Sequence, residues 1–387
     1  MMKNEFPKIL VLGSTGSVGE QALEVAAACG ISVLGISANR NWRRVAEQAR
    51  AFHIPVVAIS DESAARELRI ALADTDIQVK SGSEGILDMI RESDAEFAVN
   101  SILGEAGLLP TLTVLDSDMD LALANKESLV VAGELVMQRA KEKGRRITPV
   151  DSEHCAIFQA LQAGSCKEIK KLILTASGGP FFGKTTDELK DLTVDDALAH
   201  PTWSMGAKIT VDSATLMNKG FEIIEAAHLF GVGADQIDVV VHRESIIHSM
   251  VEYIDNSVVA QMSVPDMRLC VQYALTAPRR TPAVIPPLDL VKIGKLTFFA
   301  PDEKTFPLFS AARRALAAGG AMPAALNAAN EIAVGAFLDR RISLLQIFDT
   351  VLRVVGDMPR ARYAHTLSEI LDIDREARER AAAILKK

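Results

Sequence analysis

Short apolar runs alternate with longer amphipathic stretches over the first third of the chain, and this rhythm predicts its architecture. Lys8-Ile9-Leu10-Val11-Leu12 reads as a strand, Gly13-Ser14-Thr15-Gly16-Ser17-Val18-Gly19 as a tight loop, and the residues through Ala28 as a helix. A second strand is predicted over Ser32 to Ser37, with further strands at Val56 to Ile59, Gln78-Val79, Phe97 to Val99 and Leu121 to Leu123. Strands separated by helical patterns predict a doubly wound, Rossmann-like parallel sheet. Beyond residue 150 the rhythm changes. Leu172 to Thr175 predicts a strand, and a long Gly-, Thr- and Asp-rich stretch over 177–207 predicts a lid. Val239 to His242, Ile247 to Tyr253 and Val258 to Met262 then predict antiparallel strands with an exposed or partner-facing surface. Four prolines between Pro278 and Pro287 predict a linker. Alanine-rich segments at Ala311 to Ala318, Ala324 to Asp339 and Ser343 to Val355, with a tail from Leu367, predict a helical bundle. The expected fold is α/β: an N-terminal parallel sheet over 1–150, a central α/β domain with antiparallel strands over 151–277, a linker over 278–302 and a helical domain over 303–387.

Composition narrows the partners. The 387 residues carry a net charge of -8 with no basic tract, which argues against nucleic acid. No 18 consecutive residues are apolar, so no membrane span is expected. Four scattered cysteines without a CxxC pair suit reduced thiols. Met1 to Pro7 lacks the regions of a signal peptide, and the expected location is the cytoplasm.

Candidate chemistry falls at strand ends. The glycine loop opens a helix whose N-terminal amides can take a pyrophosphate, although its spacing differs from G-x-G-x-x-G. After the second strand, Ala38-Asn39-Arg40-Asn41 stands where an acid would bind a ribose 2'-hydroxyl; an arginine and two amides suit a 2'-phosphate, hence NADPH. Asn125-Lys126-Glu127 lies at another strand end, where Lys126 can meet a substrate oxygen or Glu127 can be an ordinary first-turn acid.

Asp151 and Glu153 share a face if the backbone stays extended, and two such acids suit a hard divalent cation. Alternatively, Asp151 or Ser152 caps a helix running from Glu153 to Gln162. Ser177, Ser213, Asn218 and Lys219 make a candidate phosphate pocket, with Glu222 on the same helical face as Lys219. His200, Trp203 and Met205 belong to the expected lid. His242, Glu244 and His248 do not fit HExxH and read as satisfied sheet residues.

Taken together, Gly13 to Gly19, Leu123 to Ser128, Val150 to His154, Ser177 to Phe181, His200 to Gly206, Met217 to Glu222 and Pro265 to Arg268 resemble the 1-deoxy-D-xylulose 5-phosphate reductoisomerase family along essentially the whole chain. The resemblance implies a homodimeric enzyme that rearranges this phosphorylated ketose and reduces the product with NADPH to 2-C-methyl-D-erythritol 4-phosphate, a step in isoprenoid precursor synthesis. It implies Asp151, Glu153 and Glu222 as ligands for Mn2+, Mg2+ or Co2+. It places Ser177, Ser213, Asn218 and Lys219 on phosphate and hydroxyl groups, and Lys126, Ser152, Glu153, His200 and Glu222 on the rest of the substrate, while Trp203 and Met205 of the expected lid would cover an apolar part of substrate or cofactor. Lys126, Asp151, Glu153, His200 and Glu222 are the implied catalytic set. Thr15, Gly16, Ser17, Val18, Asn39, Arg40, Asn41, Asn125, Glu127 and Gly206 are the implied cofactor set. One departure is His242-Arg243-Glu244-Ser245, where a proline and an amide are expected between His and Ser.

Two other readings compete. An aldehyde dehydrogenase resembling aspartate-semialdehyde dehydrogenase would use Cys155 as nucleophile. A regulator that senses NADPH would bind cofactor without needing the acids.

Overall fold

The computed structural model describes residues 6–203, 205–358 and 366–386. The chain divides into two compact units. The first comprises Met1–Ser128, Val136–Cys155 and Asp266–Pro286, and the second Leu129–Leu135, Ala156–Pro265 and Pro287–Lys387.

In the first unit, β1 (Ile9–Leu12), β2 (Val33–Ala38), β3 (Val56–Ile59), β4 (Gln78–Ser81), β5 (Phe97–Asn100), β6 (Asp120–Leu123) and β7 (Ile147–Pro149) form one seven-stranded sheet. Every neighbouring pair is parallel, in the order β4-β3-β2-β1-β5-β6-β7. β1 and β5 are buried at every position, as continuous apolar runs should be in a sheet covered on both faces. The chain moves outward from β1 to β4 and then returns to place β5 on the other side of β1. Loops leaving β1 and β5 therefore diverge around a crevice, the usual ligand position in such sheets.

The core of this unit takes in Ile9, Val11, Leu23, Ile36, Val57 and Val99. It also takes in Val271, Ala274 and Leu275 from the helix Met267–Thr276. That helix falls within the range 151–277 expected for the central domain, but its apolar face packs on the helix Ser17–Cys29 of the first unit. The proline-rich segment differs from a free linker as well. The Gln272 amide donates to the Thr281 hydroxyl and the Pro282 carbonyl, each at 2.7 Å, tying its start to the first unit.

In the second unit, β8 (Ile169–Ala176), β9 (Ile237–Val241), β10 (Ile247–Tyr253) and β11 (Val258–Met262) form a sheet in the order β11-β10-β8-β9. β8 and β9 are parallel, whereas β10 is antiparallel to both β8 and β11. Phe299 pairs with Val241 at the outer edge of β9, so the end of the expected linker is part of this unit. Helices Ala207–Ala214 and Met217–Phe230 adjoin a bundle of helices Pro307–Ala318, Met322–Leu338, Leu344–Asp357 and Leu367–Leu385. Gly220 permits the close approach: a Cβ there would lie 2.6 Å from the Ala312 Cβ. Helix Met322–Leu338 is buried along most of its length, which its alanines allow without bulky side chains forcing the neighbours apart. None of the described helices is long and apolar enough to cross a membrane.

Candidate active site

The glycine loop is built by two close backbone approaches. A Cβ on Gly19 would lie 2.2 Å from the Gly13 carbonyl oxygen, and one on Gly13 would lie 2.8 Å from the Ser101 backbone. The helix Ser17–Cys29 begins after Gly16 with no side-chain cap, so its first-turn amides remain available to an anion. Thr15, Gly16, Ser17 and Val18 are exposed or half-buried around it. Ser14 points the other way: its hydroxyl donates to Gln48 Oε1 at 2.8 Å, and the Gln48 amide donates to the Ser14 carbonyl at 2.9 Å.

Asn39, Arg40 and Asn41 are exposed at the end of β2. Arg40 Nε lies 3.1 Å from Asp61 Oδ2. Hydrogen bonds from the Ser63 hydroxyl and the Ala64 amide, aided by Arg40, lower the Asp61 pKa to about 2.

At the end of β6, Asn125 caps the helix Lys126–Lys143 by accepting from the Ser128 amide at 3.0 Å. Its Nδ2 donates to the Ile102 and Gly104 carbonyls at 2.7 and 2.9 Å and lies 3.2 Å from Glu127 Oε2. Lys126 and Glu127 are buried in the first turn of this helix. Lys126 Nζ lies 2.9 Å from Asp151 Oδ2, with the two side chains 7% and 14% exposed. Burial drives the Asp151 carboxyl upward, but the Lys126 ammonium and the His154 imidazole, 3.5 Å away, outweigh it and hold it well below the carboxylate range.

The backbone is not extended through the acidic pair. β7 ends at Pro149 and a helix, Ser152–Ala160, begins at once, so the same-face argument for a strand is replaced by two acids at a helix N-terminus. The Asp151 carbonyl accepts from the Cys155 amide at 2.8 Å, and the Ser152 hydroxyl donates to Glu153 Oε2 at 2.6 Å. Cys155 is fully buried, its sulfur 3.9 Å from the Cys270 carbonyl. A thiol so enclosed cannot reach an aldehyde, which removes the semialdehyde dehydrogenase reading.

The second unit holds the other candidates. Leu216 adopts a left-handed conformation, φ 56°, which breaks Ala207–Ala214 from Met217–Phe230 and opens the latter with Asn218 and Lys219. Asn218 Nδ2 donates to Glu222 Oε1 at 2.6 Å, and the Lys219 ammonium donates to Glu222 Oε2. The lysine and glutamate side chains are 4% and 1% exposed, so this is a buried pair and not a solvated surface one. Gly179 packs on Ser213: an added Cβ would meet the Ser213 carbonyl oxygen at 2.6 Å.

His200 joins the two ends of the expected lid. Its Nδ1 accepts from the Thr202 and Trp203 amides at 3.2 and 2.9 Å, so the ring proton must sit on Nε2, which donates to Ser177 Oγ at 3.0 Å. Burial, reinforced by the Arg243 charge, lowers the His200 pKa and keeps the ring neutral. Ser177 Oγ also accepts from the Gly179 amide at 3.2 Å, which leaves its hydroxyl proton for a further acceptor. Trp203 and Met205 are half-buried, whereas Ser204 lies outside the described residues.

The comparisons with known proteins bear on this arrangement. The family model for 1-deoxy-D-xylulose 5-phosphate reductoisomerase matches residues 9–133, and those for its C-terminal domains match 147–230 and 262–380. A relative so named from Acetivibrio thermocellus is 50% identical over 98% of this chain and 99% of its own length. The chain belongs to the 1-deoxy-D-xylulose 5-phosphate reductoisomerase family. A relative from Geotalea uraniireducens is 45% identical over 98% of both chains. Among solved structures, the Zymomonas mobilis reductoisomerase in complex with NADPH is similar with TM-score 0.92 and 38% identity, covering 98% of this chain and 99% of that one. A reductoisomerase in complex with NADPH, fosmidomycin and magnesium is similar with TM-score 0.93 and 38% identity, over 98% of each chain.

Within the reductoisomerase fold of this chain, the implied residues divide between the units. Thr15 to Val18, Asn39 to Asn41, Asn125 to Glu127 and Asp151 to Glu153 belong to the first; Ser177, His200, Trp203, Met205, Gly206, Ser213, Asn218, Lys219 and Glu222 belong to the second. Asn125 has its amide committed to the 102–104 loop, so its side chain shapes the sheet edge. Gln48, Asn100 and Arg243 were not anticipated. Asn100 holds the same edge by donating to the Gly107 carbonyl and Thr111 hydroxyl at 2.9 and 2.8 Å. Gln48 had a signal in the sequence, a polar residue on the apolar face of its helix. His242 was expected as a satisfied sheet residue; it lies one residue past β9 and is satisfied there, with Nδ1 2.9 Å from the Thr297 carbonyl and Nε2 accepting from the Ile246 amide at 3.2 Å.

Proposed function

We infer that the chain converts 1-deoxy-D-xylulose 5-phosphate to 2-C-methyl-D-erythritol 4-phosphate with NADPH and a divalent cation, in the non-mevalonate route to isoprenoid precursors. Family membership along the chain supports the reading. The observation that carries it in the structure is a buried lysine beside a carboxylate in each unit, Lys126 with Asp151 and Lys219 with Glu222. Buried ion pairs contribute little net stability, and their presence at strand and helix ends favours a functional reason.

The residues fit both groups. Uncapped amides at a helix start suit the pyrophosphate of NADPH, with Thr15, Gly16, Ser17 and Val18 around it and Gly206, also without a side-chain cap, at another helix start. Asn39, Arg40 and Asn41, exposed at the end of β2, would meet the 2'-phosphate, with Asn125 and Glu127 at the sheet edge. Carboxylate oxygens from Asp151, Glu153 and Glu222 suit Mg2+, Mn2+ or Co2+. When bound, the cation would polarise the substrate carbonyl and NADPH would supply the hydride.

The chain's own residues then have separable tasks. Ser177, Ser213, Asn218 and Lys219 hold the phosphate end, the Ser177 hydroxyl donating its free proton. Neutral His200 fixes the Ser177 oxygen. Lys126 keeps Asp151 ionised and, with Ser152, contacts substrate oxygens. Trp203 and Met205 cover the apolar part of the substrate and exclude water. A homodimer is part of the proposal; β11 is an edge strand, and both its first residue, Val258, and Ile254, just past β10, are exposed. A cytoplasmic location agrees with four cysteines that form no disulfide among the described residues.

The test is NADPH oxidation by EDTA-stripped protein with 1-deoxy-D-xylulose 5-phosphate, before and after Mg2+ or Mn2+ is added. Oxidation should appear only with metal and fall at least roughly a hundred-fold in Glu222→Gln. Tight NADPH binding with no oxidation under either metal would return the assignment to a regulator.

A further inference from the structure

The loop that carries Ser177 is shaped by a residue outside the implied site. β8 and β9 run parallel with Ala176 opposite Val241, and the His242 amide donates to the Ala176 carbonyl at 2.7 Å. Both strands therefore end at the same level, and the chain leaving β9 runs beside the one leaving β8. Arg243 sits there. Its Nη1 donates to the Ser177 carbonyl at 2.6 Å and to the Gly179 carbonyl at 2.8 Å, while its guanidinium lies 5.0 Å from the centre of the Phe182 ring. Between those carbonyls, Gly178 and Gly179 both have positive φ, 77° and 66°. Two left-handed residues in succession let alternate carbonyls face one donor, which an ordinary L-residue pair would resist. Phe182 is in turn packed on Phe299, ring centres 5.2 Å apart.

We propose that Arg243 is a positioning residue for phosphate recognition: by gripping the Ser177 and Gly179 carbonyls it sets the direction of the Ser177 hydroxyl and, through it, of the His200 ring. The same turn places the Gly179 amide 3.2 Å from Ser177 Oγ and His200 Nε2 3.0 Å from it. Releasing the carbonyls frees the peptide on either side of Gly178 to rotate, and the hydroxyl loses its fixed bearing while the sheet below keeps its pairing. Charge-assisted bonds from one guanidinium to two carbonyls are stronger than neutral ones and fix geometry, which a lysine cannot reproduce with a single point charge.

The inference rests on the assignment of Ser177 to the phosphate, and the experiment separates the two. Steady-state kinetics are measured on the full-length protein with Mg2+ and NADPH for Arg243→Met, Arg243→Lys, Ser177→Ala and the double variant Arg243→Met/Ser177→Ala. Thermal melts verify folding. Arg243→Met keeps an apolar stem over Phe182 and should raise KM for the phosphorylated ketose roughly ten-fold, with KM for NADPH unmoved. Arg243→Lys should fall between it and the parent. In the Ser177→Ala background the Arg243→Met effect should largely vanish, because the residue it orients is gone. A folded Arg243→Met with unchanged ketose KM, or effects that multiply independently of Ser177, overturns the proposal. If Arg243→Met does not fold, the same cycle on Arg243→Lys decides it. An unchanged ketose KM in Ser177→Ala alone overturns the phosphate assignment itself.

Discussion

His200→Ala should unfasten one end of the 177–207 segment, and the size of the effect follows from its hydrogen bonds. The ring accepts from the Trp203 amide at 2.9 Å and the Thr202 amide at 3.2 Å and donates to Ser177 Oγ at 3.0 Å. A neutral hydrogen bond contributes about 1 kcal/mol net, so loss of its acceptor should lower hydrogen-exchange protection of the Trp203 amide roughly five- to ten-fold. His200→Asn should retain most of that protection, because its side-chain oxygen can take the place of Nδ1, while losing the link to Ser177. The pH dependence carries an independent sign. Burial, then the Arg243 charge, depresses the folded pKa, so the opened segment binds a proton first, near about 6.5. The contribution of the neutral ring is complete above that pH and is lost as pH falls through it, because a protonated Nδ1 would face two amide donors. Corrected Trp203 protection should therefore decline below about pH 6.5 in the parent and stay level in His200→Asn. Equal protection in the parent and His200→Ala, or the same pH slope in His200→Asn, would refute the assignment of the proton to Nε2.

Other perturbations test the remaining parts. Lys219→Met leaves Glu222 charged in a site where the two side chains are 4% and 1% exposed, and urea unfolding should show a loss of about 3–5 kcal/mol, partly recovered when Glu222→Gln is added. Gly19→Ala puts a methyl 2.2 Å from the Gly13 carbonyl oxygen, which cannot swing aside. It should cost about 1–3 kcal/mol of stability and weaken NADPH in a fluorescence titration, whereas Gly16→Ala, at 3.4 Å, should be nearly tolerated. Asp61 has its pKa lowered to about 2, so the stability it confers is complete above about pH 4 and is lost as pH falls toward 2. Thermal melts of Asp61→Asn should lack that acid-side step.

The resemblance singles out the lysines and acids from sequence alone, and local spacing supports one of those pairs directly. Asn218, Lys219 and Glu222 stand at i, i+1 and i+4, so any helix there brings the amide and the ammonium to the same carboxylate. The glycine loop was equally legible, since its tight approaches involve residues six apart or fewer, apart from that to Ser101. The acidic pair was less so: Asp151 and Glu153 fit either a strand or a helix start, and only the end of β7 at Pro149 decides for the helix.

Strand and helix order followed from periodicity because each element buries one face by a rule local to it. What lies across the fold did not. Lys126 meets Asp151 because β6 and β7 are neighbours, Gln48 reaches Ser14 because β2 lies beside β1, and Arg243 grips the Ser177 loop because β9 runs parallel to β8. The helix Met267–Thr276 joined the first unit because its apolar face covers the helix Ser17–Cys29, although about 240 residues separate them in sequence. The sequence by itself determined which side chains each strand end presents, because the hydrophobic period and the glycines act over a few residues. Only the tertiary structure decided which of those ends meet, since strand order comes from burying all the apolar faces at once and no local pattern records it.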